Sequence, residues 1–467
     1  MKNIYKIFAV LSIAFTASSA LYAQQNLRTA YFTDGYTYNY KMNPSFAPER
    51  PFFAIPIIGN LGVGVETNIG LSTFLYPTSD GKLATFLHSS VSDDQFLGKL
   101  NQSNKQNVSL NETLIATGFR VGKSFHTIDL SVKLDVASML PKDLFAFVKS
   151  GGNAGAETWD ISNIGLRGNG RMELAYGYQR SISDKLRIGA RVKLLMGLSQ
   201  AELLVDNLNL TMNSQKWGVK ANGHANISGP FQGVLDESAE DADMMAAITE
   251  SLSSPSIGAA LDLGASYDFL DYFTASLSVL DLGFISWNGT TTNVMPGGEW
   301  TFEGFENLGT DGSIDEQLAN IGDDFLELLK METTGRNLKV TNMLAATVHA
   351  GIEARMPFYE RLTFGLLGTQ RIDGPFSWTE GRLSANLAPV NWFSLSASYA
   401  ISDFGNSFGG VVNIHLPGFN LYAGMDSFLP LMEMTPQYIP VNSLNTNLTF
   451  GLTLTFGKAL GRYRDVK

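Results

Sequence analysis

Titratable side chains recur at every second position in several segments of this 467-residue chain. Arg187, Arg191 and Lys193 share one phase of "KLRIGARVKLLMGL", Asp129, Lys133 and Asp135 one phase of "TIDLSVKLDV", and His349, Glu353 and Arg355 one phase of "VHAGIEARM". Charges at that spacing can do one of two things. They can pair across neighbouring elements as a salt-bridged filling, or they can line a polar path for a ligand; if they are buried they must pair in either case. Covalent or acid–base catalysis is not indicated. The chain has no GxSxG, P-loop or HExxH motif, and nothing selects a serine to partner one of the five scattered histidines. The expectation is a protein that is not an enzyme and carries no cofactor and no metal.

The intervening positions explain what carries these charges. Leu186, Ile188, Ala190, Val192, Leu194, Met196 and Leu198 alternate with the first set, and Ile128, Leu130, Val132, Leu134 and Val136 with the second. Phe273, Ala275, Leu277 and Val279 alternate with Thr274, Ser276 and Ser278 in the same way. Successive strand side chains point to opposite faces, so each segment is a strand with one apolar and one polar face. The runs outlast the roughly 5–6 residues of a soluble strand and match the about 9–11 that a tilted membrane strand needs.

Tight breaks join long strands at Gly122–Ser124, Ser183–Asp184, Leu270–Asp271, Pro357–Glu360, Pro389–Asn391 and Pro417–Gly418. Between them lie longer connections, Thr73 to Glu112, Ala137 to Gly170, Gln200 to Ser256, Ser286 to Asn342, Asp373 to Phe376, Ile401 to Asn406 and Phe428 to Leu444. Short and longer connections take turns, the asymmetry of an outer-membrane barrel with short periplasmic turns. Six tight turns separate seven hairpins, which predicts an all-β transmembrane antiparallel barrel of about fourteen strands. Aromatics at the tight turns (Phe269, Tyr272 and Phe273; Phe358 and Tyr359; Trp392 and Phe393) suit the headgroup level of a membrane. Acidic starts predict helices in two long connections, Asp236 to Leu252 and Ser313 to Lys330, placed as extracellular loop helices. "AELLVDNLNLTM" and "KWGVKANGHANIS" read as a hairpin extended beyond the membrane.

Composition supports this reading. The formal net charge of -11 argues against a nucleic-acid partner. The absence of Cys removes disulfides, thiolate metal sites and a lipid-modified cysteine. Lys2 and Lys6 precede an apolar run, and "SSALYAQQ" offers small residues before a cut after Ala23, the pattern of a secretory signal peptide. The domain expectation is therefore a signal peptide over 1–23, an N-terminal plug over 24–60, a barrel over 61–457 and a C-terminal tail over 458–467. Proline cannot donate to a strand ladder, so "KMNPSFAPERP", with Pro44, Pro48 and Pro51, is a poor central strand and reads as a plug inside the lumen.

The alternation also breaks once. In "SVLDLGFISWN" the apolar set jumps from Val279 to Leu280, Leu282 and Phe284, which would leave Asp281 on the lipid face. A bulge over Asp281, Leu282 and Gly283 would resolve this. It reads either as a lateral gap in the wall or as a change of register at the outer rim.

Three segments, "NPSFAPERP", "GAALDLGASYDFLDYFTASLSVLDLGFISWN" and "NLTFGLTLTFG", resemble a Bacteroidota family of outer-membrane barrels of unknown function that is distantly similar to FadL-type transporters of hydrophobic compounds. The resemblance implies a fourteen-strand barrel with an N-terminal hatch carrying an Asn-Pro-Ala element. Asn43 and Pro44 match that element and Ser45 departs from it. It further implies passive uptake of a hydrophobic or amphipathic small molecule across the outer membrane of a Gram-negative cell, with outer-membrane lipid around the wall. The alternative is a barrel without transport, an anchor or partner for another protein in cell-surface secretion or assembly, suggested by the large acidic loops.

Overall fold

A computed structural model describes residues 26–56, 58–77, 83–150, 158–212, 217–229, 255–302, 327–428 and 445–459. The leader 1–23, the helix expected over 236–252 and most of that over 313–330 lie outside these residues, as does most of the tail.

The chain closes into an antiparallel barrel of 14 strands. In chain order the strands are β1 (Phe52–Ala54), β2 (Leu61–Thr67), the short pair β3 (Leu75–Pro77) and β4 (Leu83–Thr85), β5 (Ser103–Val121), β6 (Ser124–Pro141), β7 (Thr158–Ser181), β8 (Leu186–Met212) and β9 (Trp217–Ser228). They continue with β10 (Ser256–Phe269), β11 (Phe273–Val294), β12 (Glu299–Phe302), β13 (Glu332–Met343), β14 (Ala346–Met356), β15 (Tyr359–Ile372), β16 (Trp378–Val390), β17 (Phe393–Ser402), β18 (Gly405–Leu416), β19 (Phe419–Met425) and β20 (Thr446–Thr455). The wall runs β2, β5, β6, β7, β8, β10, β11, then β14 through β20, and β20 returns to β2, with Leu61 paired to both Glu112 and Phe450. Closure leaves no open edge in lipid, where an unpaired backbone group would have no water to bond. Among the described residues no helix is long and apolar enough to cross a membrane.

All six tight turns expected from the sequence fall between paired wall strands. Tyr272, Phe358, Tyr359 and Trp392 are exposed at these turns. The faces sort by charge: Ile188, Val192 and Leu194 are exposed on the outside of β8, while Arg191 and Lys193 are buried on the inside.

Two boundaries differ from the sequence reading. The wall begins at Phe52, because β1 pairs with β20 and β5 directly below β2 in the same slot, so the last part of the expected plug belongs to the wall. The first hairpins are also longer than expected, with β5, β6 and β7 continuing to Ser103, Pro141 and Thr158. The outer, apolar phase of these strands continues past the membrane belt, because other parts of the chain cover it there. Left-handed backbone at Asn163 and the slips at Gly170/Arg171 and Val205/Asn207 change which sequence positions carry that phase. Ile161, Ile164, Val205, Leu208 and Leu210 then pack in one core with Phe96 of helix α1 (Asp93–Leu97) and Phe147 of helix α2 (Lys142–Ser150). The expected extended hairpin is β8 with β9, paired from Gln200↔Ser228 to Met212↔Trp217.

The lipid-facing assignment has a direct test. Leu194 is 62% exposed on the outer face. Leu194→Arg should cost about 2–4 kcal/mol if the residue lies at mid-depth, measured by urea titration of folding into lipid vesicles. A change near zero would place Leu194 away from lipid.

Candidate functional site

The barrel interior is occupied by residues 26–50. The segment forms short 3-10 turns, Arg28–Ala30 and Thr37–Lys41, and no strand. Its rings, Tyr31, Phe32, Tyr36, Tyr38, Tyr40 and Phe46, are buried with Phe52 and Tyr422 of the wall. Their edge-on packing, such as Tyr36 to Tyr422 at 4.9 Å between centroids, suits aromatic quadrupoles.

Polar contacts reach from this segment to much of the wall. At the long-loop end the Asp426 carboxylate accepts from the backbone N–H of Arg28 (2.9 Å) and of Thr29 (2.6 Å), capping the first turn from β19's end. The Arg28 guanidinium pairs with Glu66 and lies 3.1 Å from Glu380, while Arg382 joins Glu380 at 2.9 Å. At the short-turn end Ser394 Oγ and Asn413 Nδ2 both donate to the carbonyl of Asp34, and Asn420 Nδ2 to that of Gly35. His415 Nδ1 lies 3.1 Å from the Glu49 carboxylate.

Asn43, Pro44 and Ser45 sit in the middle of this span. Asn43 Oδ1 accepts from the backbone N–H (3.0 Å) and hydroxyl (2.7 Å) of Ser45, and its Nδ2 donates to the Tyr31 hydroxyl. The serine that departs from the Asn-Pro-Ala pattern thus closes an Asx-type turn. The turn rests on a bare strip of wall where Gly189 and Gly264 are register partners. A Cβ on Gly264 would come within 2.8 Å of the Pro44 ring.

The charged residues picked out by alternation all come from the inner phase of their strands, and most of them meet. Arg191 bridges Asp129 (2.8 Å) on β6 and Asp262 (2.9 Å) on β10. Lys193 pairs with Asp262 (2.8 Å) and with Asp281. Lys133 pairs with Glu173 (2.8 Å), and Arg171 joins Glu173 (2.9 Å) to Asp135 (2.7 Å). Lys41 of the inner segment reaches Asp129 at 3.3 Å and donates to Thr113 and Ser131. Burial, opposed by Asp129, pulls the Lys41 ammonium down to about 8, so it remains charged at neutral pH. Arg187 stands apart with Asp268 (2.7 Å). His349 bonds Thr369 and packs on the Tyr31 ring, Glu353 is buried on the same face, and Arg355 lies near the short-turn rim, its backbone N–H on Tyr272 O.

Asp281 has left-handed backbone, φ 59°, and the β10–β11 register slips between Leu261 and Leu263. Asp262 Oδ1 accepts the Asp281 backbone N–H at 2.7 Å, and Leu344 N–H bonds the Gly283 carbonyl. Asp281 therefore faces Lys193 rather than lipid. Leu280, expected on the outer set, is buried, and the phase changes at Asp281, with Leu282 and Phe284 outside.

Reading strand by strand missed Asp262, Arg171, Glu173, Glu380, Arg382 and the inner partners Arg28, Lys41 and Asp426. The signal existed: Asp262 and Asp281 lie in two copies of "LDLG", and Glu380 and Arg382 alternate in "TEGRLSANL". Lys193→Met would leave Asp281 and Asp262 without their shared cation. The expected cost is about 3–5 kcal/mol, read from the temperature at which the folded gel band is lost. A band as heat-stable as wild type would show that the pair is not clamped.

Among solved structures, the chain resembles the toluene transporter TodX of P. putida (11% identity over 95% of this chain and 97% of that one, TM-score 0.39). It also resembles the Ralstonia pickettii toluene transporter TbuX (9%, 90% and 94%, 0.41) and a Pseudomonas aeruginosa FadL homologue (11%, 94% and 99%, 0.37). No curated protein matches the chain. The model of a family of unknown function, DUF5723, matches residues 44–426, and the chain belongs to that family.

Proposed function

We propose that this protein is an outer-membrane channel that passively admits a hydrophobic or amphipathic small molecule, with residues 26–50 acting as a hatch. One observation carries the reading. The lumen of a closed barrel is filled by a segment that contributes no strand and is held by side-chain contacts, so it can shift without breaking the wall. The column of rings from Tyr31 to Phe46 supplies apolar surface along the path. The fold supports a location in a Gram-negative outer membrane, with the short turns periplasmic.

Two interruptions in the wall are candidate points of lateral release. At Asp281–Gly283 the inner side carries Lys193 and Asp262, which makes that seam a charged clamp. Between β1 and β2 the inner side carries Phe52 and Tyr422, which suits an apolar solute better.

The extramembrane sheet, with its own apolar core, favours a second reading, an anchor or partner in surface protein secretion or assembly. A protein co-purifying in fixed ratio would support it.

The hatch is testable because the chain has no cysteine. The hydroxyl oxygens of Thr29 and Ser398 lie 2.8 Å apart. A Thr29→Cys/Ser398→Cys variant, oxidised, should lose proteoliposome uptake of a nonpolar solute and regain it on reduction. Uptake unchanged by oxidation would overturn the hatch.

A further inference from the structure

The loop between β15 and β16 crosses the long-loop mouth from the opposite side of the barrel. Its 3-10 turn, Gly374–Phe376, brings Phe376 against Ala137 and Met139 of β6. Arg167 of β7 pairs with Asp373 at the turn's start and lies over the Phe376 ring at 4.8 Å. Lys105 of β5 holds the far end through the Ser377 carbonyl at 2.7 Å.

Beside this strap is a cavity of about 420 Å³. It is large enough for a small ligand. Four neutral hydrogen-bonding side chains line it: Gln102, Ser103, Ser162 and Asn163. Met139, Pro141 and the strap's Pro375 complete the wall with apolar surface. They come from the start of β5, the end of β6, the left-handed turn in β7 and the strap. Ser103 Oγ is sequestered and bonds to no protein group among the described residues. Arg167, further along β7, is committed to Asp373 and Phe376.

We propose that this cavity is a binding site for a neutral amphiphile, a molecule with an apolar body and one hydroxyl or amide group. Gln102, Asn163 and Pro375 are exposed, so the cleft opens to water, but a lining without Lys, Arg or His offers a carboxylate no counter-charge, and the Asp160 carboxylate on Ser162 Oγ would repel it. A pure hydrocarbon would leave the buried Ser103 hydroxyl unpaired. The polar lining therefore selects against both. The role in uptake rests on the channel reading above; the binding chemistry does not.

Four probes on one skeleton test this: 4-phenylbutan-1-ol, 4-phenylbutanamide, 4-phenylbutanoate and butylbenzene. Binding is measured by calorimetry on the full chain in lipid nanodiscs, corrected with empty nanodiscs. The alcohol and amide should bind at least about tenfold more tightly than the carboxylate and the hydrocarbon. A Ser103→Ala/Asn163→Gly variant keeps the residue type best suited to the left-handed turn while removing both groups. It should weaken alcohol and amide binding by about three- to tenfold for each bond lost and leave butylbenzene unchanged. Heat-modifiable gel migration confirms that the variant is folded. Equal binding of the carboxylate or hydrocarbon, or no effect of the variant on the alcohol, would overturn the proposal. Proteoliposome uptake is scored separately. Selective binding without uptake removes the channel and keeps the site; uptake without selective binding does the reverse.

Discussion

The Arg191 guanidinium is the point on which the interior depends. It spans from Asp129 on β6 to Asp262 on β10, and each carboxylate carries a second cation, Lys41 on one side and Lys193 on the other. A barrel in lipid must keep its polar side chains inside. Charges taken from water inside it are tolerated only when each finds a partner and its remaining hydrogen bonds. Arg191 can satisfy two carboxylates at once because its planar fork presents donors in fixed directions. Through Lys41 the same cluster reaches the inner segment, and through Lys193 it reaches the bulge at Asp281. The seat of the segment and the shape of one stretch of wall thus share one set of ion pairs.

The remaining features follow from where lipid stops. Within the belt the wall is apolar outside and charged inside; beyond it the outer phase of β7 and β8 stays apolar, and a core of ordinary soluble type forms on it with α1 and α2. The strands do not end at this boundary. They slip register, at Gly170/Arg171 and near Asn163 and Asp206, and the slips change which sequence positions are apolar while the core stays on one face. The strap at Gly374–Phe376 packs on the lumen phase of β6, where the charges ending at Asp135 give way to Ala137 and Met139.

Much of the wall was legible without coordinates. Leu186 to Leu198 and Ile128 to Val136 alternate because one face is apolar and outward and the other faces the charged interior. The tight turns were legible for a related reason, since charged, proline-bearing or glycine-bearing breaks interrupt otherwise unbroken alternation. The extramembrane parts of β5, β6 and β7 were not, because the bulge at Leu114 on β5 and the left-handed Asn163 on β7 look like strand ends when only one chain segment is read, and β6 is continued by its pairing with both. Leu280 was misassigned for the same reason: the phase jump is visible in the sequence, but which residue absorbs it depends on Asp262 across the strand pair.

By itself the sequence determined the fold class, the strand count, the inner face of the alternating charges on β6, β8 and β14, and the poor strand character of Lys41 to Pro51. These depend on the local period and on the missing proline N–H. Only the tertiary structure decided that Arg191 bridges Asp129 and Asp262, that Asp426 caps the turn at Arg28, and that β1 shares a slot with β2. It also decided that Asn43–Pro44–Ser45 lies on the Gly189–Gly264 strip. Those facts join residues far apart in the chain, and partner choice across a barrel is set by shear and register, which no single strand carries.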